Sequence, residues 1–353
     1  MQEITVEELL VKGYSNLVDV RSPGEFARET IPGAVNIPLF SDEERARVGT
    51  TYKREGQQAA QWLGMQIVSP KMEAIMQAIR QRGEEWGEPP TIFCWRGGMR
   101  SRAMATFATF SGLRVRRLQG GYRSYRQHVL EAITPYELQV PVFLLHGMTG
   151  VGKTELLRKL EEKGYPVLDL ERMAGHRGSV FGHIGKGKPA NQKMFDARLF
   201  ETLHENRDTS FFVMEAESKR IGNAIVPSFL MEAKKQAIHI QLTAPLEVRV
   251  QRIYDEYVIP FSWRPDFVEK IEKAYTSIAR RIPTEQAALL RGALAERDYR
   301  TAIATLLVSY YDPRYQNKQS EYVEKLEHHI DTTDLPAAVE QIGDIIEKSL
   351  AIR

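Results

Sequence analysis

Two short stretches of this chain combine residue types and spacings that can do chemistry. The first, Gly147-Met-Thr-Gly-Val-Gly-Lys-Thr154, has the full pattern G-x-x-x-x-G-K-[ST]. Gly147, Gly150 and Gly152 allow the backbone N–H groups around Thr149 and Val151 to turn into one concave nest for phosphate oxygens. Lys153 brings a point charge to the outer phosphate, and the Thr154 hydroxyl suits Mg2+. The pattern calls for a pyrophosphate-bearing ligand without specifying ATP. An acid should face the metal from a neighbouring strand. Glu215 and Glu217 follow the apolar run 211–214, and Asp169 closes "YPVLDL". In an open parallel sheet all three lie at the carboxyl ends of strands, where ligands bind. The expected metal set is Thr154, Asp169 and Glu215. A Glu at the position where such proteins usually carry Asp argues against a simple ATPase.

The second stretch is "FCWRGGMRS", which holds the chain's single cysteine, Cys94. An apolar strand ends at the sulfur, Gly97 and Gly98 turn the chain, and a helix begins. That geometry aims backbone N–H groups and a helix N-terminus at the thiol, and with Arg96 and Arg100 nearby it favours the thiolate. The loop from Arg96 through Gly97, Gly98, Met99 and Arg100 to Ser101 would also cradle an anion brought to the sulfur, whether phosphate, selenophosphate or a persulfide. The plainer reading of a lone cysteine is a small buried hydrophobe.

The surrounding pattern shows what positions these loops. In the first half, "TVEELL" reads as helix, "NLVDVRS" and Ala34–Ile37 as short strands, and "PKMEAIMQAIRQRG" as an amphipathic helix. "PPTIFC" reads as a buried strand feeding the cysteine loop and a helix ended by Gly112, before one more strand and a linking helix. The second half repeats this grammar: "VPVFLLHG" then the phosphate loop and helix, "YPVLDLE", "FFVMEAES", and "QAIHIQLTAPLEVRVQRI" as strand into helix. Alternating strands and helices imply parallel sheets covered on both faces. From Pro265 onward nearly everything reads as helix, broken at "YYDPRYQN". The expected class is α/β: residues 1–134, then a P-loop α/β domain with a parallel sheet at 135–260, then a helical C-terminal region at 261–353 packed on it.

A length of 353 residues suggests about two domains. One cysteine excludes an internal disulfide and fits a reducing cytoplasm. The acidic start "MQEITVEELL" lacks a signal-peptide pattern, and no apolar run approaches membrane-helix length. Net charge is only +2, yet it is segregated. Residues 89–130 hold no Asp or Glu but carry Arg96, Arg100, Arg102, Arg114, Arg116, Arg117, Arg123 and Arg126. A second acid-free stretch, 172–195, carries Arg177, Lys186 and Lys188 among glycines. Such segregation suits a polyanion, as it suits a merely solvated basic face.

"LVDVRSPGEF" and "IPGAVNIP" resemble the upstream signatures of the rhodanese domain, with Cys94 at its catalytic cysteine position. Arg100 follows one residue later than the closing arginine of sulfur-transferring rhodaneses. The longer loop resembles the phosphatase branch, C-x-x-x-x-x-R, although Phe93 stands where that branch has His. With "CWRGGMRS", "GMTGVGKT", "HRGSVFG" and "EAESKRIG" in this order, the chain resembles the tRNA 2-selenouridine synthase family over essentially its whole length.

The resemblance implies an enzyme acting on 2-thiouridine at the wobble position, in the anticodon arm of certain bacterial tRNAs. The sulfur would be alkylated by geranyl diphosphate, and selenium from selenophosphate would then replace the geranylthio group. Cys94, Arg100 and Lys153 would be catalytic, Cys94 carrying selenium as a selenylsulfide, with His176 and Arg177 near the isoprenyl diphosphate. Arg114, Arg116, Arg117, Arg123, Arg126, Lys186 and Lys188 would face tRNA phosphates. Trp95, Tyr122 or Tyr125 would stack on an extruded base. Mg2+ is the expected ion, with no redox cofactor and no membrane, and with a supply of selenophosphate in the cytoplasm. Two other readings stay open on the residues alone. One is a small-molecule kinase fused to a rhodanese-like domain. The other is a non-enzymatic tRNA-binding scaffold for sulfur relay.

Overall fold

The computed structural model describes residues 1–176, 189–319 and 326–351. By internal packing the chain divides into two compact units, Met1–Pro135 with Lys193–Phe200, and Tyr136–Gln192 with Glu201–Arg353.

The first unit runs β1 (Gln2–Ile4), α1 (Val6–Val11), β2 (Leu17–Asp19), α2 (Pro23–Arg28), β3 (Val35–Asn36), α3 (Asp42–Glu55), α4 (Gln57–Val68), α5 (Met72–Trp86), β4 (Thr91–Phe93), α6 (Met99–Phe110), β5 (Arg116–Leu118) and α7 (Gly121–Ile133). Its five strands are parallel in the order β1-β5-β4-β2-β3. All three residues of β4 are buried, as expected for a strand covered on both faces. The chain winds outward from β2 to β3 and, on the other side, from β4 to β5. The crevice at the carboxyl ends of β2 and β4 is therefore a topological switch point, and Cys94 sits there. Two features had no sequence signal strong enough to anticipate. β1 is three residues long, too short for alternation to register. The α3 arm of the α3–α4 hairpin is polar, and α3 begins at a Ser41–Glu44 capping box.

The second unit contains β6 (Val142–Gly147), α8 (Lys153–Glu162), β7 (Val167–Leu168), α9 (Leu170–Ala174), part of α10 (Gln192–Glu205), β8 (Phe212–Glu215), the hairpin β9 (Arg220–Ile221) and β10 (Ala224–Ile225), α11 (Ser228–Lys235), β11 (Ile238–Thr243) and α12 (Leu246–Ile253). It continues through α13 (Phe267–Ile278), α14 (Thr284–Ala295), α15 (Tyr299–Leu306), α16 (Asp312–Gln319), β12 (Leu326–Asp331) and α17 (Leu335–Ala351). The parallel order β12-β11-β6-β8-β7 puts the phosphate loop after the strand where the winding reverses. Leu156 and Leu160 of α8 and Ile342 of α17 are fully buried against Phe143, Leu145 and Ile240. Each such side chain is worth about 1.5–3 kcal/mol of hydrophobic burial.

The C-terminal region, expected to be nearly all helix, also contributes a strand. It returns β12 to the sheet edge, parallel to β11. Its sequence "LEHHID" buries only Ile330 fully, so the apolar signal of a strand is diluted. "YYDPRYQN" is not a break either. A π-helical turn, Leu307–Tyr311, joins α15 to α16 without interruption. Pro313 follows that turn, whose wider i to i+5 bonding lets the helix pass the missing N–H. A second π turn, Tyr254–Val258, extends α12. Among the described residues no helix is long and apolar enough to cross a membrane.

Candidate active sites

Cys94 is 3% exposed, at the end of β4, with its Sγ 3.3 Å from the Ser101 hydroxyl on α6. The loop is stapled from behind by α7. The N–H groups of Tyr122 and Arg123 donate to the carbonyls of Cys94 and Trp95, each at 2.9 Å. This approach requires glycine at position 121, where φ is +61° and a Cβ would lie 2.1 Å from the Cys94 carbonyl oxygen. Arg117 donates to the Gly97 carbonyl and pairs with Glu3, tying the loop to β5 and β1. Behind β2, the buried Asp19 carboxylate accepts from Arg21 (2.7 and 3.0 Å) and from the Thr30 hydroxyl (2.9 Å). The Arg21 guanidinium lies 4.6 Å from the centre of the Tyr122 ring.

Arg100 closes the loop on a carboxylate. Its guanidinium is bidentate on Glu25, at 2.5 and 3.2 Å. Burial works against the charge on Glu25, and Arg100 outweighs it, holding the carboxyl below its ordinary range. Arg96, Gly98 and Met99 are exposed on the loop's outer side.

Among the expected tRNA contacts, three arginines are committed to the fold. Arg117 is 5% exposed in its pair with Glu3. Arg116 donates to Glu88 at 3.2 Å and stacks on the Tyr14 ring at 3.6 Å, and Arg126 pairs with the buried Asp196 at 2.6 Å. Spent on internal carboxylates, they do not present a guanidinium to phosphate. Arg114 and Arg123 remain exposed, as do Arg96 and Arg102. Tyr122 and Tyr125 are buried in the core and cannot stack on a base, whereas Trp95 is half-buried with Lys193 5.5 Å from its ring centre. Arg177, Lys186 and Lys188 lie outside the described residues.

In the second unit the phosphate loop wraps from β6 into α8. Gly152, at the N-cap, has φ +94°, a left-handed conformation that a side chain would strain. The loop is braced from α12. Arg249 donates to the Thr149 carbonyl (2.9 Å) and pairs with Asp312 (2.5 and 3.0 Å), and Arg252 donates to the Val151 carbonyl (2.8 Å). The Thr332 hydroxyl donates to Val151 as well (2.6 Å). None of these three braces was singled out from sequence, although two arginines three apart after a strand share one helix face. Lys153 donates to the Gly147 carbonyl at 2.6 Å. Burial opposes its charge, and Tyr315, Glu217, Glu171 and Glu215 more than offset this, so the ammonium lies above its usual range.

The acids arrange themselves differently from expectation. Asp169 caps α9, accepting from the Arg172 N–H at 2.8 Å, and is 6% exposed. One of its oxygens is thus engaged at a helix end, and it is not among the acids that cluster. Glu171, Glu215 and Glu217 instead bring carboxylate oxygens within 4.8 Å of one another. Burial, then the charges of Glu171, Glu217 and Asp169, push the Glu215 carboxyl well above the ordinary range. Crowded hard oxygens with the Thr154 hydroxyl on the loop suit Mg2+. Glu171 escaped sequence reasoning because it follows the strand end and only the turn of α9 carries it inward.

A cavity of about 1380 Å³ opens beside the loop. One end is polar, lined by the loop from Gly147 to Thr154 with Glu171, Glu217, Lys219 and Lys234. Much of the rest is an apolar wall from the C-terminal helices, including Val258, Phe267, Ile303, Leu307 and Tyr311, with Arg252, Asp255, Glu256 and Arg314 also on the lining. His146, at the end of β6, also lines it and stacks on His239, with 2.8 Å between ring nitrogens. Burial, then His239 and the nearby lysines, push His146 down to about 3, so it is neutral. His176 is absent from this lining and packs against Gly222 in the β9–β10 turn.

The rhodanese-like domain model matches residues 5–128, and the model described as the tRNA 2-selenouridine synthase AAA domain matches residues 140–342. Among curated proteins, the tRNA 2-selenouridine synthase of Shewanella woodyi is 32% identical, covering 91% of this chain and 92% of its own. That of Bordetella petrii is 36% identical over 85% of each chain. That of Pseudomonas fluorescens is 34% identical over 85% of this chain and 87% of its own. The likeness thus runs through both loops and the helical wall together, so the chain belongs to the tRNA 2-selenouridine synthase family and is a tRNA-modifying enzyme.

Proposed function

We propose that the enzyme converts wobble 2-thiouridine to 2-selenouridine in two reactions, with geranyl diphosphate and selenophosphate as co-substrates. The observation that carries this reading is the cavity, which joins a phosphate nest to a long apolar wall. An ATP site needs no such wall, whereas an isoprenyl diphosphate has this same polarity, charged at one end and hydrocarbon at the other. Pockets for single ligands usually measure about 300–1000 Å³. The larger volume leaves room for a nucleobase beside the isoprenoid.

In the first reaction the thiocarbonyl sulfur attacks C1 of the isoprenoid, the C–O bond breaks, and pyrophosphate departs with the electron pair. The base loses its N3 proton to solvent. Lys153 and the loop N–H groups stabilise the charge that grows on the leaving group, as preorganised donors do. Thr154 with Glu171, Glu215 and Glu217 would hold Mg2+, which when bound supplies further neutralisation of that charge. In the second reaction selenium of selenophosphate attacks C2 of the pyrimidine and geranylthiolate leaves. Water then cleaves the Se–P bond, releasing phosphate. The Cys94 loop would receive this donor, with the polarizable thiol beside it.

Calorimetric titration with geranyl diphosphate and with ATP tests the reading, alongside mass spectrometry of wobble nucleosides from cells with and without the gene. Isoprenyl binding with little ATP binding, and loss of 2-selenouridine with the gene, are expected. Tight ATP binding with no isoprenyl binding would overturn the reading in favour of a kinase.

A further inference from the structure

The apolar wall has an internal scale. Tyr299, Ile303, Leu307, Tyr311 and Tyr315 all line the cavity, four residues apart on the one unbroken helix formed by α15, the π turn and α16. Four residues overshoot a 3.6-residue turn, so such a row would wind around an ordinary α-helix. The π turn at Leu307–Tyr311 takes up the excess and helps keep the row on the cavity side. At the near end, the Tyr315 ring lies 5.5 Å from the Lys153 ammonium, the diphosphate position. Residues 299 to 315 span about 24 Å at the usual rise of about 1.5 Å per residue. At the far end the Tyr299 ring meets Phe267 edge to face, with centroids 5.6 Å apart, and Phe267 is 1% exposed while lining the cavity.

We infer that the Phe267–Tyr299 pair is a length stop that determines how long an isoprenyl chain the enzyme accepts. The inference rests on the isoprenyl diphosphate reading of the cavity. A diphosphate fixed by Lys153 anchors one end of the ligand, so chain length is counted outward along the helix row. The hydrocarbon tail runs past Tyr311 and Leu307 toward the aromatic pair, and a chain that reaches the pair must displace buried rings. Shortening a ring opens space for further methylenes, while enlarging a residue nearer the anchor removes space. Leu306, which lines the cavity about 14 Å along the axis from Tyr315, is such a residue.

The test is titration of the full chain with geranyl, farnesyl and geranylgeranyl diphosphates in the presence of Mg2+, for the wild type and two variants. Phe267→Ala is expected to raise the affinity for geranylgeranyl diphosphate, the one chain of the three long enough to approach the pair, relative to geranyl by about tenfold, the order expected when a hydrophobic pocket gains or loses methylenes. Leu306→Phe is expected to do the reverse, losing the longest diphosphate first and geranyl last. It stands as the test on its own should Phe267→Ala not fold. If the wild type binds these diphosphates but neither variant changes their ratio by more than about twofold, well under that expected change, the length stop is wrong and the isoprenyl reading survives. If no isoprenyl diphosphate binds the wild type, both fall together.

Discussion

Cys94 and Lys153 illustrate how much a residue's type says once its loop is known. Both lie at switch points of parallel sheets, and "FCWRGGMRS" and "GMTGVGKT" announce those positions through apolar strand, glycine turn and helix start. What the residues touch was less legible. Arg100 was expected beside the anion and is bidentate on Glu25. Asp169 was expected at the metal and caps a helix. A side chain's partner depends on the elements that fold over it, and neither type nor spacing encodes that. The chemistry assigned to the two loops separates in a direct way. Alkylation needs a phosphate clamp and no thiol, and selenium delivery needs no diphosphate. Cys94→Ala, which takes the polarizable thiol out of the loop assigned to the selenium donor, is expected to accumulate S-geranyl-2-thiouridine in tRNA. Lys153→Ala should leave 2-thiouridine unmodified, because the departing pyrophosphate loses a compensating charge. Nucleoside analysis of both variants checks this. If Cys94→Ala blocks geranylation as strongly as Lys153→Ala, the two loops do not divide the work.

At the scale of elements, periodicity identified an apolar face on the C-terminal helices but could not say what the face looks onto. Helix faces read alike whether they meet a sheet, another helix or a ligand. The cavity wall therefore became visible only when α12 to α16 were placed over the phosphate loop, held there by the Arg249–Asp312 pair. The stacked rings of His146 on β6 and His239 on β11 lie under the same cavity, in the sheet itself. Their burial makes a prediction about acid. His146 titrates near 3 in the folded protein against about 6.5 in an unfolded chain. Between those values the unfolded state binds more protons, so stability falls as pH drops from about 6.5 toward about 3. Denaturant unfolding of the wild type and of His146→Gln, compared at pH 7.5 and 5.5, should show a smaller loss for the variant. An equal loss would mean that His146 becomes protonated without cost in the fold.

Across the whole molecule, charge segregation was plain in sequence, but its use was not. Eight arginines without a neighbouring acid between residues 89 and 130 suggested one basic face. Carboxylates distant in sequence, Glu3, Glu25, Glu88 and Asp196, return to pair with Arg117, Arg100, Arg116 and Arg126. The local count of eight is therefore twice the four guanidiniums left to offer a partner. Exposed Arg96, Arg102, Arg114 and Arg123 are what remains for a polyanion. Each that contacts a tRNA phosphate releases a counterion, so log K should fall by about 0.7–0.9 per contact for each tenfold rise in salt. Measured from 50 to 300 mM salt, Arg114→Ala and Arg123→Ala should each weaken tRNA binding and flatten that slope by about one contact. Arg126→Ala, which removes a charged partner of the buried Asp196, should lower stability and leave the slope of the folded protein unchanged. If Arg126→Ala flattens the slope while Arg114→Ala and Arg123→Ala do not, tRNA binding must break the internal pairs. The arginines assigned here to the fold would then belong to the substrate.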